Sequence, residues 1–221
     1  MIFHPEIFRL RLLMPGKDTT VFRNFLKTFF MKRIIIIVCT VILTGLFQNL
    51  TAQGTDPMKA WQDFMTPGPM HKWMAGQVGT WEAEVSQWMD PTAPPTKSKA
   101  TDVVTMAMNG LYQAGNFSTS MMGMPMMGQS TLGYDNAKKL FVLSWIDNLG
   151  SGIVYMTGTF DEKTKTLSLK GKQTDPMSGK DTDIGQENKY VDDNTYTMTM
   201  YGVGMDGKEM KFMEGTFRRK K

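Results

Sequence analysis

From Thr80 to the C-terminus the hydrophobic period of the chain changes from three-and-four to two, and it holds that period through ten successive runs. In TWEAEVSQW, Trp81, Ala83 and Val85 alternate with Glu82, Glu84 and Ser86. That alternation puts one set on each face of a strand. The runs TDVVTMAM, LYQAGNFSTS, GQSTLGYD, KLFVLSWID, GIVYMTGTF, TLSLKGKQ, DIGQENKYV, NTYTMTMYG and EMKFMEGTFR follow, rich in Val, Thr, Tyr and Phe. Turn-forming residues stand between them, among them Asp135-Asn136, Asp161-Glu162-Lys163, Asp192-Asp193-Asn194 and Met205-Asp206-Gly207. Links this short join antiparallel neighbours. An open sheet of this many strands leaves two unpaired edges, and closure removes them. The pattern therefore predicts an all-β, ten-stranded antiparallel up-and-down barrel, with a two-sheet sandwich as the alternative.

Two short helices are predicted ahead of the strands. Asp56-Pro57 is a helix start, and Met58, Trp61 and Met65 fall on one face behind it. Thr66-Pro67 repeats the signal for a second apolar face of Met70, Trp73, Met74 and Val78, closed by Gly79. These helices are placed to cover one mouth of the barrel.

Further upstream, Met31 to Gly54 has the grammar of a secretory signal. Lys32 and Arg33 precede an apolar and small run, Ile34 to Phe47, and a polar close ends in Ala52-Gln53-Gly54. The run is 14 residues long, shorter than the ~20 of a comfortable membrane span. The sequence thus divides into 1–30, an upstream extension or an organellar transit peptide; 31–53, the signal; and 54–221, one exported periplasmic or secreted domain without a stable membrane anchor after cleavage. Cys39 lies inside the apolar run after Val38, so it is not a lipoprotein cysteine.

Removing the first 52 residues changes the charge. They hold seven of the 25 basic and two of the 21 acidic residues, so the remainder carries 18 basic against 19 acidic, a net of −1. The pI of about 9.0 belongs to the leader and does not point to nucleic acid. Arg218 to Lys221 reads as a solvated tail. The domain has no Cys and one His, His71, which excludes disulfides, thiolate chemistry, most zinc sites and any single-chain His triad. No phosphate loop, nucleophile elbow or H-E-x-x-H occurs, and nothing calls for a cofactor.

Several constellations can still carry chemistry. Met121, Met122, Met124, Met126 and Met127 cluster within seven residues. Thioethers in an exported protein suit Cu(I); they also fill irregular apolar gaps. Asp147 and Asn148 close a strand, either facing a cavity or holding a hairpin end. Glu209 and Lys211 share a strand face, as a buried pair or a surface pair; Met210 and Phe212 on the other face are better interior candidates. His71 sits beside the apolar helix face, suiting a capping or surface role more than a haem ligand. Glu82 with Glu84, and Asp181 with Asp183, alternate with apolar residues and are predicted to face solvent.

The blocks PGPMHKWMAGQVGTWEAEVSQWMDP, MMGMPMMGQSTLGYDNAKKLFVLSWIDNLGSG, DPMSGK and KEMKFMEGTFRRK, in that order, resemble the bacterial domain of unknown function DUF1579 over about residues 65–220. The resemblance implies a calycin-like β-barrel, related in shape to lipocalins and fatty-acid-binding proteins, and it implies no activity. Met126-Met127 stands where the family pattern leads us to expect an aromatic and an acidic residue, so no charged role for that segment follows from it.

A barrel of this width holds a small ligand. The expected function is non-catalytic binding of a small apolar or amphipathic molecule, with Trp81, Met106, Trp145, Asp147, Tyr155, Met198, Met200 and Phe212 as its lining. The alternatives are a cavity enzyme using Asp147 or Glu209 as acid and base, and Cu(I) binding through the methionine segment. The pattern specifies no oligomeric state.

Overall fold

The computed structural model describes residues 23, 24, 27, 28, 31, 56–121, 123–204 and 206–221. The apolar run of the signal, Cys39, Met122 and Met205 lie outside them. The chain divides into two compact units, Met1–Asp56 and Pro57–Lys221. In the first, Arg23, Asn24, Lys27, Thr28 and Met31 are helical, and the Thr28 hydroxyl donates to the Asn24 carbonyl at 2.9 Å. No helix among the described residues is long and apolar enough to cross a membrane.

The second unit is a closed antiparallel barrel of ten strands. In chain order these are β1 (Gly79–Gln87), β2 (Thr96–Ala107), β3 (Tyr112–Met121), β4 (Met124–Asp135), β5 (Leu140–Asp147), β6 (Val154–Asp161), β7 (Thr166–Thr174), β8 (Asp181–Asp192), β9 (Thr195–Val203) and β10 (Glu209–Arg219). Each strand pairs with its sequence neighbours, and β1 pairs with β10 to close the ring. Every predicted run became a strand, and the closed barrel, not the sandwich, is the architecture.

The hairpins at one end share a device. Asp135 accepts the amide hydrogens of Ala137 and Lys138, and Asp161 those of Lys163 and Thr164. In both loops the lysine four residues on, Lys139 or Lys165, takes a positive φ of 57° or 55° and turns the chain back. A short side chain satisfies the loop amides locally, which is why aspartate serves here.

Outside the wall, cross-strand pairs of opposite charge stand in solvent. Lys97 meets Glu84 at 3.1 Å, Lys172 meets Asp183 at 2.5 Å and Lys220 meets Glu82 at 2.8 Å. The carboxylates of Glu82, Glu84 and Asp183 therefore face solvent, as the alternation predicts. Exposed pairs of this kind contribute at most about 1 kcal/mol each.

Inside, two apolar clusters face one another. One gathers Trp81, Val85, Phe117, Tyr196, Met213 and Phe217 from β1, β3, β9 and β10. The other gathers Leu132, Phe141, Met156, Leu167, Leu169 and Ile184 from β4 to β8, with Met74 from a helix.

That helix is α2 (Pro69–Gly76), which follows α1 (Pro57–Met65). The expectation that both helices cover a mouth is corrected here. α1 has no buried residue, whereas α2 buries His71 and Met74 and plugs one end. Its Trp73 packs on Phe160 at 4.4 Å, Tyr190 at 5.1 Å and Phe141 at 5.5 Å. The second helix also begins later than expected: Gly68, not Thr66, is its N-cap, and His71 Nδ1 accepts the Gly68 amide hydrogen at 3.0 Å. Gly79 opens β1 instead of closing the helix. Asn136, in the β4–β5 turn, donates to the carbonyls of Asp63 and Phe64 in the last turn of α1 and of Thr66 just after it, and so ties the end of α1 to the barrel.

Candidate ligand-binding cavity

The two clusters leave a cavity of about 280 Å³ between them. Its far end is sealed by the aromatic packing around Trp73. Toward the other end the wall includes Met121, Asp147, Leu149 and Gln173, which belong to strand ends and the loop after β5. Leu149 lines the cavity and is 40 % exposed, so the cavity opens there.

Of the predicted lining, Trp81, Trp145, Asp147, Met198, Met200 and Phe212 stand in the wall. Met106 does not; it is half-buried against the cluster around Met74. Tyr155 is a correction. It is 53 % exposed, because in β6 the inward parity belongs to Val154 and Met156.

Phe212 reaches the wall through an irregularity. Lys211 pairs with Tyr201 and Met213 with Met200, so Phe212 is the extra residue of a β-bulge. Bulges re-aim side chains, and here two successive residues, Phe212 and Met213, both line the cavity. Lys211 points outward, 2.6 Å from Glu214 and 4.4 Å above the Trp88 ring. Glu209 is exposed and does not line the cavity, so it cannot act as a cavity acid or base.

Asp147 serves both the wall and the hairpin end. Its carboxylate accepts from Trp145 Nε1 at 2.8 Å and from the Leu149 amide at 2.9 Å. Asn148 ties β4 to β5, accepting from the Met127 amide at 2.7 Å and donating to the Pro125 carbonyl at 3.1 Å. The Trp145 ring lies against bare backbone: a Cβ on Gly128 would collide with it. Gly128→Ala is therefore expected to push the indole off the wall. We expect a stability loss of about 1–3 kcal/mol and a shifted tryptophan emission, read together by fluorescence-monitored urea unfolding.

The methionine segment is not a free loop but the tip of the β3–β4 hairpin, where Met121 pairs with Met124. Strand parity puts Met124 and Met126 on one face and Met127 on the other. Met126 is buried in the cavity wall, and Met127 is 62 % exposed. Met121 also lines the cavity. The described thioethers are thus divided between the two faces of β4.

His71 is 2 % exposed and does not line the cavity. One ring nitrogen holds the Gly68 amide, and the ring meets Tyr134 edge-on at 6.0 Å. Burial lowers its pKa, opposed by a hydrogen bond to the Tyr134 backbone. It is a capping residue.

The most unusual wall residue is one that the sequence reading passed over. Asp102, on β2, shares the inward parity of Ala100 and Val104, both buried. Its Oδ1 has no hydrogen-bond partner among the described residues. Burial pushes the carboxyl up to about 6. A Cβ on Gly115 would crowd Asp102 Oδ1 at 3.2 Å and collide with the Ser130 hydroxyl, so the glycine leaves room for both. The phenols of Tyr190 and Tyr196 also line the cavity. Their own pKa values are raised by burial, and the Asp102 charge adds to the effect. Gln77 Oε1, of another wall residue, likewise has no hydrogen-bond partner among the described residues. The lining includes no Lys, Arg or His among the described residues; its charged groups are Asp102 and Asp147. The signal was present in the sequence: Asp102 has the same strand parity as Met106, which was itself a predicted lining residue.

A closed antiparallel barrel, plugged at one end and enclosing an apolar chamber with acidic groups in its wall, defines the class of protein. The family profile "Protein of unknown function (DUF1579)" matches residues 66–219, and the chain belongs to that family. Its fold is similar to the crystal structure of Rv2717c from M. tuberculosis, with a TM-score of 0.56 and 12 % identity over 71 % of this chain and 100 % of that one. No curated protein matches it by sequence.

Proposed function

We propose that the protein is an exported, non-catalytic binder of a small, largely apolar ligand held inside the barrel. The supporting observation is the cavity: a mostly apolar wall with few polar groups, one of them a buried carboxyl oxygen left without a protein partner. Pockets that bind small molecules have this composition. Export rests on the signal-like segment Met31–Gly54.

A buried carboxyl with a raised pKa also suits acid–base chemistry, and this favours a second reading, a cavity enzyme centred on Asp102. Binding is the stronger reading because no hydroxyl, imidazole or amide donates to Asp102 Oδ1 among the described residues. Without such a contact nothing orients the group for proton transfer.

Native mass spectrometry of the protein purified from the exported fraction of its own cell separates the readings. A reproducible extra mass that leaves on denaturation is expected, and its value distinguishes an organic ligand from copper held by Met121, Met124 and Met126. A bare mass would count against the binder and favour turnover.

A further inference from the structure

We propose that the cavity selects amphipathic molecules whose polar end is a protonated amine, with Asp102 as the anchor, and that it discriminates against carboxylate lipids. This deepens the binder reading and rests on it. The argument is one of charge and pairing. A ligand in this chamber loses its water, so its polar end must find a partner in the wall. Asp102 lines the chamber, and its Oδ1 is buried and has no hydrogen-bond partner among the described residues. An ammonium group supplies hydrogen-bond donors and the opposite charge, the strongest partner for a desolvated carboxylate. A carboxylate ligand offers neither and would meet like charge.

The groups around Asp102 support this direction. From β8 and β9, Tyr190 and Tyr196 present neutral phenols to the same chamber. From β4, Ser130 approaches across Gly115. On β1, Trp81 pairs with Asp102 across the strands. The nearby cation, Arg219, lies 4.2 Å from the Trp81 ring and donates to the carbonyls of Gly76, Val78 and Asp193 at the barrel end. Arg219 does not line the cavity. At the open end the other wall charge, Asp147, is again acidic. The apolar body of the ligand would lie between the two clusters, on Phe117, Met198 and Leu169.

Isothermal titration calorimetry with octylamine, octanol and octanoate tests the proposal on the purified protein. The three share a tail and differ at the head. Octylamine is expected to bind about tenfold tighter than octanol, as suits a hydrogen bond to a charged group, and octanoate more weakly than octanol. In Asp102→Asn, octylamine should fall to the affinity of octanol while octanol stays within about twofold. A second arm uses the unaltered protein. Because the carboxyl titrates at about 6, octylamine affinity should drop about tenfold from pH ~7 to pH ~5 as Asp102 takes a proton, with octanol unchanged. Octanol binding with no advantage for octylamine would overturn the amine selectivity and leave the binder reading standing. An amine preference that survives Asp102→Asn would overturn the anchor. Failure of all three ligands would overturn the binder reading and this inference with it.

Discussion

Phe217→Ala is expected to destabilise the barrel by about 3–5 kcal/mol, the range for removing a buried aromatic ring. Phe217 is 1 % exposed. It stacks on Tyr196 with centroids 4.8 Å apart and planes 2° from parallel, and it packs against Phe117 at 6.4 Å. The cost of such a truncation depends on how far the surroundings collapse into the space left behind. Here β10 is hydrogen-bonded on both sides, to β9 and to β1, within a closed ring. That ring cannot contract around a missing side chain without breaking its own ladders. The gap instead joins the existing cavity, and Tyr196 loses its stacking partner. Urea denaturation of the two proteins checks this; a loss under about 1 kcal/mol would mean that the wall repacks.

Asp102→Asn should act in the opposite direction, stabilising the ligand-free protein at neutral pH by up to about 3 kcal/mol. The sign follows from the proton balance. The carboxyl has an ordinary value of 3.8 and is pushed up to about 6 in the barrel. Between those values the folded state keeps a proton that the unfolded state has released. Stability therefore falls as pH rises through this window and levels off above about pH 6. Desolvation of the charged form is the cause, and an amide has no charged form to desolvate. The gain from the substitution should be largest near pH 7 and vanish near pH 4, which paired urea titrations at the two pH values would reveal. Equal stabilities at both would show that Asp102 ionises in the barrel as readily as in the unfolded chain.

Much of the architecture was legible because strand parity and turn chemistry are local. Asp135, Asp161 and Asp192 mark hairpin ends on sight, and the alternation in TWEAEVSQW survives intact in β1. Which face turns inward was harder. In GIVYMTGTF both parities are apolar, Ile153 with Tyr155 and Val154 with Met156, so composition cannot choose between them. Barrel closure chooses, and it puts Ile153 and Tyr155 outside. The bulge at Phe212 breaks parity within a strand and has no local signature. α1 misled for a related reason: Met58, Trp61 and Met65 form an apolar stripe, yet none of the three is buried. Asp102 escaped because TDVVTMAM has apolar residues on both faces, so one acid near its start resembles a strand boundary. Its parity with Val104 and Met106 was the available clue.

The aromatic plug around Trp73 makes the chamber a flask and not a pipe. On the binding role proposed above, a bound molecule would not be pushed out from behind by the next, and no gradient would drive flow through the chamber. Filling and emptying would then be one trajectory travelled in two directions, past the wall residues Met121, Leu149 and Gln173. Directional delivery by such a vessel depends on conditions at its lip: a place of loading where the cargo is held more tightly, and a place of discharge where it is held less.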